Sequence, residues 1–345
     1  MEIGISTFGE VEPDKKAGNA LHAHERVRQL LEEVKLADEV GLNVYAFGEH
    51  HRSDFVISAP EIMIAAAAAV TKDIRLSSSV TVLSSADPVR TFQNFATADL
   101  ISGGRVEMIA GRGSFIESFP LFGFDLNEYD ALFAEKLDLF LQINKQEKVT
   151  WRGQFRSPIQ NQAIYPRPLQ PAIPVWLGVG GTPASAVRAG KLGLPMMIAI
   201  LGSAPKHFVT FVHTYREASQ KAGHDINKLQ LGISSQFYVA EQSQQAADDF
   251  YPSYEALMNR VGRDRGWSPM SKEQFEYLRQ DGPLVVGSVQ QAVDKILGQH
   301  ELFGNTRFLA QLVTGHTPHI KTLKAIELLG THVAPAVRKA LGTPK

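Results

Sequence analysis

Two imidazoles and a carboxylate stand together in Glu49-His50-His51, directly after the apolar run Leu42-Asn-Val-Tyr-Ala-Phe47. An imidazole titrates near pH ~6.5 and can give or take a proton at neutrality. Neighbouring residues at a strand end point to opposite sides, so at most one ring faces a given site; His50 is the candidate. A metal would need more ligands than these three, and the spacing is not that of a helical H-E-x-x-H pair.

Three further stretches could bind rather than react. In Gly111-Arg-Gly113-Ser114, glycines permit close backbone approach, and Arg112 offers a planar fork suited to phosphate or carboxylate. A structural Arg–carboxylate pair would use the same residues. In Gly178-Val-Gly-Gly-Thr-Pro-Ala-Ser185, Thr182 fits a helix N-cap and Pro183 the first helical position. The amides near Gly180 and Gly181, with the hydroxyls of Thr182 and Ser185, could cradle an anion. The pattern is neither a Walker loop nor a G-x-G-x-x-G turn, and an ordinary tight turn into a helix would share it. Finally, Ser77-Ser78-Ser79-Val80 is a run of small residues that leaves room for a flat ligand.

These groups need elements to hold them. Short apolar runs at 3–8, 42–47, 74–78, 105–110, 174–178, 196–200, 229–239 and 307–312 read as strands, and the segments between them carry apolar residues at helical spacing. Asp87-Pro88 opens one helix, Ser102-Gly-Gly104 closes it, and Ser288-Val-Gln-Gln291 is a capping box. Eight strand–helix units predict an α/β fold, a (β/α)8 TIM barrel with insertions at about 151–173 and 262–284, forming a single domain over 1–345. An open doubly wound sheet is the rival. The segment 262–284 reads as charged and irregular. In a barrel, the four candidate groups share one rim, at the C-terminal strand ends where chemistry resides.

Composition narrows the class. Formal net charge is −1 over 345 residues, which gives no general reason to expect nucleic acid or an acidic membrane. With no cysteine, thiol nucleophiles, thiolate metal sites and disulfides are out. The N-terminus reads as a strand rather than a signal peptide, and the run Ile62 to Val70 is far shorter than the ~20 residues of a spanning helix. A soluble, cytoplasmic protein is expected.

Taken in order, the pieces Gly48-Glu-His-His51, Asp87-Pro-Val-Arg90, Ser102-Gly-Gly-Arg105, Gly111-Arg-Gly113, Pro174-Val-Trp-Leu-Gly-Val-Gly-Gly181 and Gly193-Leu-Pro-Met196 resemble the bacterial luciferase-like, flavin-dependent monooxygenase family. The resemblance spans nearly the whole chain. It implies reduced FMN bound at the strand ends and a reaction with O₂ that oxidises a small organic substrate of unknown identity. By position, Arg112, Gly180, Gly181, Thr182 and Ser185 resemble the phosphate site. Ser78, Ser79 and Val80 resemble the wall beside the isoalloxazine, with a non-proline cis peptide at Ser79-Val80. His50 resembles the catalytic histidine. A separate flavin reductase and a homodimer are further implications. Light-emitting members carry a Cys just before the arginine, where this chain has Gly111. Three alternatives stay open: an F420-dependent oxidoreductase of the same fold, a flavin-binding protein without turnover, and a metal-dependent barrel hydrolase using Glu49, His50 and His51.

Overall fold

Strands buried on both faces read as unbroken apolar runs, and parallel strands joined by helices are of this kind. The computed structural model describes residues 1–11, 20–113 and 115–342. Part of the polar loop expected after the first strand (12–19) and Ser114 lie outside them. The strands are β1 (Glu2–Thr7), β2 (Val44–Phe47), β3 (Arg75–Ser78), β4 (Thr81–Val82), β5 (Met108–Gly111), β6 (Lys148–Trp151), β7 (Ile159–Ala163), β8 (Val175–Val179), β9 (Met196–Ile200), β10 (Leu231–Ala240), β11 (Val285–Ser288) and β12 (Arg307–Leu312).

The main sheet runs β3-β2-β1-β12-β10-β9-β8-β5-β4, and its paired strands are parallel. A parallel bridge between Leu76 and Val106 brings its two ends together, so the sheet is nearly closed into a barrel with helices around it. The eight expected strands correspond to β1, β2, β3, β5, β8, β9, β10 and β12. The insertion expected at about 151–173 belongs to an antiparallel hairpin, β6–β7, whose first strand already starts at Lys148.

Alternation splits the core. One set of side chains packs outward against the helices. The other, Val44, Ala46, Ile109, Trp176, Met197 and Leu309, fills the barrel, with Val80 packed on it. At the N-terminal strand ends the filling is ionic. The Arg307 guanidinium pairs with Glu107, donates to Glu2 at 2.7 Å and lies 4.2 Å from the Trp176 ring centre. Arg75 approaches Glu107 at 3.7 Å. Towards the opposite end the side chains shrink, and Ser6 and Ser234 hydroxyls meet at 3.4 Å.

The expected caps form. Asp87 accepts from the Arg90 amide, Gly103 closes that helix with φ 72°, and Ser288 and Gln291 make the reciprocal capping box. The segment 262–284 is not irregular. The helix Ser243–Arg265 runs into it, Gly266 (φ 69°) stops that helix, and a second helix spans Lys272–Gln280 before β11 pairs with β10. Ser271 caps that second helix by accepting from the Gln274 amide, and Phe275 and Leu278, three apart, bury its inner face. Its surplus of charge masked a short amphipathic helix. Among the described residues no helix is long and apolar enough to cross a membrane.

Candidate functional site

β2 delivers the histidines. After Phe47 the chain passes Gly48, where a Cβ would collide with the Phe8 ring and the Ser79 carbonyl, so only glycine fits. The His50 amide then donates to the Ile57 carbonyl at 2.9 Å. Its ring enters an aromatic cage, with centroids 4.4 Å from Phe8, 4.5 Å from Phe55 and 4.8 Å from Phe115. His50 is only 7% exposed, and its Nε2 has no hydrogen-bond partner among the described residues. Burial pushes its pKa from 6.5 down to about 3, against the weaker pull of Asp54, so the imidazole is neutral at physiological pH.

His51 turns the other way. Its Nε2 lies 2.8 Å from Glu49 Oε1, while Glu49 Oε2 accepts from the Val82 amide at 2.7 Å. Glu49 therefore orients His51 rather than His50 and fastens it to the segment after β3. With His50 caged and His51 bonded to Glu49, the trio does not converge. Among the described residues no group of three or more His, Asp or Glu side chains could hold a metal ion.

The wall comes from β3 and its exit. The Ser79–Val80 peptide is cis. Ser79 and Val80 are half-buried, but Ser78 is fully buried. The Ser78 hydroxyl accepts from the Ile109 amide at 3.3 Å and from Thr81 at 2.9 Å. Ser78 is thus spent on stitching β3 to β5, and the exposed wall reduces to Ser79 and Val80. The methyls of Val80 occupy the space that a Cβ on Gly111 or Gly178 would need. Gly111 is therefore a glycine because Val80 packs on it, not because a ligand does.

The two binding corners meet. Arg112 Nη2 donates to Ser185 Oγ at 3.0 Å, and its Nη1 pairs with Asp130. The guanidinium lies 4.9 Å from the Tyr129 ring centre, and the Tyr129 hydroxyl donates to the Gly113 carbonyl at 2.8 Å. Thr182 occupies the N-cap position before Pro183 without using its hydroxyl to cap. Gly180 and Gly181 are exposed, and a Cβ on either would meet nothing within 4 Å. Two open glycines, a guanidinium and two hydroxyls at a helix start fit an anionic tail. Sequence reasoning missed the cage, whose rings come from three separate loops. It also missed Asp130, an acidic residue in a first helical turn that resembles an ordinary dipole partner.

A charged rim adjoins the cage. Asp54 pairs with Arg52 at 3.2 Å and with Arg260 at 2.8 Å, and Arg52 also reaches Glu117 at 3.1 Å. Burial would raise the Asp54 pKa, but these guanidiniums hold it below the usual carboxylate value. These residues, with His51, Ser53 and Arg263, line a cavity of about 670 Å³.

The luciferase-like monooxygenase family model matches residues 1–306. Among solved structures, a monooxygenase from Streptomyces bottropensis superposes with a TM-score of 0.85 at 24% identity, over 97% of this chain and 99% of that one. The oxygenating constituent of 3,6-diketocamphane monooxygenase from Pseudomonas putida, in complex with FMN, gives 0.78 at 19%, over 97% and 98%. The coenzyme F420-dependent tetrahydromethanopterin reductase of Methanopyrus kandleri gives 0.73 at 20%, over 97% and 99%. At these identities the likeness is one of fold.

Proposed function

Since this chain belongs to the luciferase-like monooxygenase family, we propose that it is the oxygenating component of a two-component monooxygenase, taking reduced FMN from a separate reductase and using O₂ to oxidise a small organic molecule. The observation that carries this reading is the 3.0 Å contact between Arg112 and Ser185, which brings the two corners together and supports their use as a single anion site. Arg112, Ser185, Thr182 and the amides around Gly180 and Gly181 would hold the phosphate. Ser79 and Val80 would form the wall beside the ring system. Bound reduced flavin would supply the electrons and the activation of O₂.

The chain's own share is exclusion, orientation and one proton position. Phe8, Phe55 and Phe115 shield the His50 ring from water. Its Nε2, without a hydrogen-bond partner among the described residues, is the atom that would take a substrate or flavin hydrogen bond. With a pKa of about 3 it serves as a neutral hydrogen-bonding partner rather than a store of protons at neutral pH. Pairing of two copies is supported by exposed Ile62 and Val70 on the helix Pro60–Val70 and by Leu100 and Ile101 on Pro88–Ser102, which packs beside it.

The F420-dependent reading draws support from the Methanopyrus kandleri fold match. Titration with FMN and F420, followed by oxygen uptake and product analysis with photoreduced FMN, separates the readings. FMN-dependent product that His50→Ala abolishes is expected. Preferential F420 binding with hydride transfer would replace the proposal, and flavin binding without any product would favour a carrier.

A further inference from the structure

A second guanidinium lies beneath the anion corner. Arg188 follows Ser185 by three residues, on the same face of the helix Pro183–Leu192, and helical side chains lean towards the N-terminus, the side on which that corner lies. The facing helix, Tyr129–Lys145, supplies a matching pair of rings one turn apart. Arg112 stacks 4.9 Å from Tyr129, and Arg188 stacks 5.2 Å from Phe133. Arg188 Nη1 is buried with no hydrogen-bond partner among the described residues. Asp138, on the same groove between the helices, is already bonded to the Trp151 indole at 3.1 Å and to Gln142 at 2.8 Å.

The charge count is unbalanced. Arg112 and Arg188 bring two positive charges: burial and then the Arg112 charge lower the Arg188 pKa. The nearby counter-charge is Asp130, whose side chain is 71% exposed and so free to swing away. Two guanidiniums and a helix N-terminus against one displaceable carboxylate suit a group carrying two negative charges.

We propose that Arg188 is the second arm of the phosphate site and that the pair of arginines selects a phosphomonoester dianion, the tail of FMN, over a singly charged phosphodiester such as that of F420. The proposal rests on the flavin reading above and names the feature that decides between its two cofactors.

The test is titration of wild type, Arg188→Met and Arg188→Lys with FMN, riboflavin and F420 at pH 5.5 and 7.5, with circular dichroism to verify folding. Met keeps the apolar stack on Phe133 and removes the charge. Wild type should prefer FMN to F420 by at least about 100-fold and bind FMN more tightly at pH 7.5, where the phosphate carries its second charge (second pKa near ~6). Arg188→Met should lose about tenfold in FMN affinity and the pH dependence, with riboflavin unchanged and Arg188→Lys partly restored. Equal loss for FMN and riboflavin, no loss for either, or wild type binding F420 as well as FMN would overturn it. If wild type binds none of the three, the flavin reading itself fails. The second arm is then decided by inorganic phosphate: a rise in Tm beyond that from chloride of equal ionic strength, abolished in Arg188→Met, upholds it, and no rise overturns it.

Discussion

The ion cluster around Arg307 at the floor of the barrel and the histidine cage at its mouth treat buried polar groups in opposite ways. At the floor, Arg307 and Glu107 are each 2% exposed, yet the guanidinium is answered by Glu107, Glu2 and the Trp176 face. In the cage at the mouth His50 Nε2, and on the helix beside it Arg188 Nη1, are buried with no hydrogen-bond partner among the described residues. A bare buried polar atom costs roughly 1–3 kcal/mol, so such atoms persist where a ligand completes them. The paired cluster at the floor serves stability, and the unpartnered atoms support the binding role proposed above.

The largest expected effect lies at the floor. Arg307→Ala leaves buried Glu107 with only the longer 3.7 Å approach of Arg75 and should destabilise the fold by about 3 kcal/mol in urea denaturation. A loss under 1 kcal/mol would mean the ionic plug is decorative, and the contrast would collapse.

The mouth should behave inversely. His50→Phe keeps an aromatic ring in the cage and removes the bare nitrogen. Product formation with reduced flavin should drop about 100-fold while Tm holds or rises. The pH dependence has a definite sign. The folded pKa of about 3 lies below the unfolded value near 6.5, so the contribution is fully present above pH 6.5 and fades as pH falls towards 3. Between pH 7 and 4 wild type should lose on the order of 3 kcal/mol through this group, and His50→Phe should lack that slope. Identical acid profiles for the two proteins would refute the buried, neutral imidazole.

The smallest effect concerns the wall, where Val80 packs directly on Gly111. Gly111→Ala pushes a methyl into Val80 and should cost about 1–3 kcal/mol. Adding Val80→Ala removes the two methyls but leaves the Val80 Cβ at 2.8 Å, so it should recover only part of the loss, and Val80→Gly more of it. Failure of the second substitution to compensate would show that strain at Gly111 comes from elsewhere.

The strands were readable from sequence because burial on both faces leaves little choice but apolar residues, as in Met196-Met-Ile-Ala-Ile200. The joint Arg112–Ser185 corner was also readable, since a glycine-flanked arginine and an N-cap threonine before proline each carry local chemistry. Ser78 shows the limit. Residue type placed a small hydroxyl in the right strand, but only the register with Ile109 reveals that its bonds are consumed inside the wall. Arg188 was invisible for a related reason: in sequence it is one more basic residue on a helix, and its significance arises only when Arg112 arrives from another strand. The helix Lys272–Gln280 was missed because only two of its nine residues are buried apolar side chains.

Glu49 gives one oxygen to an imidazole on the histidine loop and the other to an amide on the wall segment. Whatever nudges His51 at the charged rim therefore also tugs the strip of chain bearing Val80. That single carboxylate is thus the hinge-pin between the charged rim and the strip of chain on which Val80 stands.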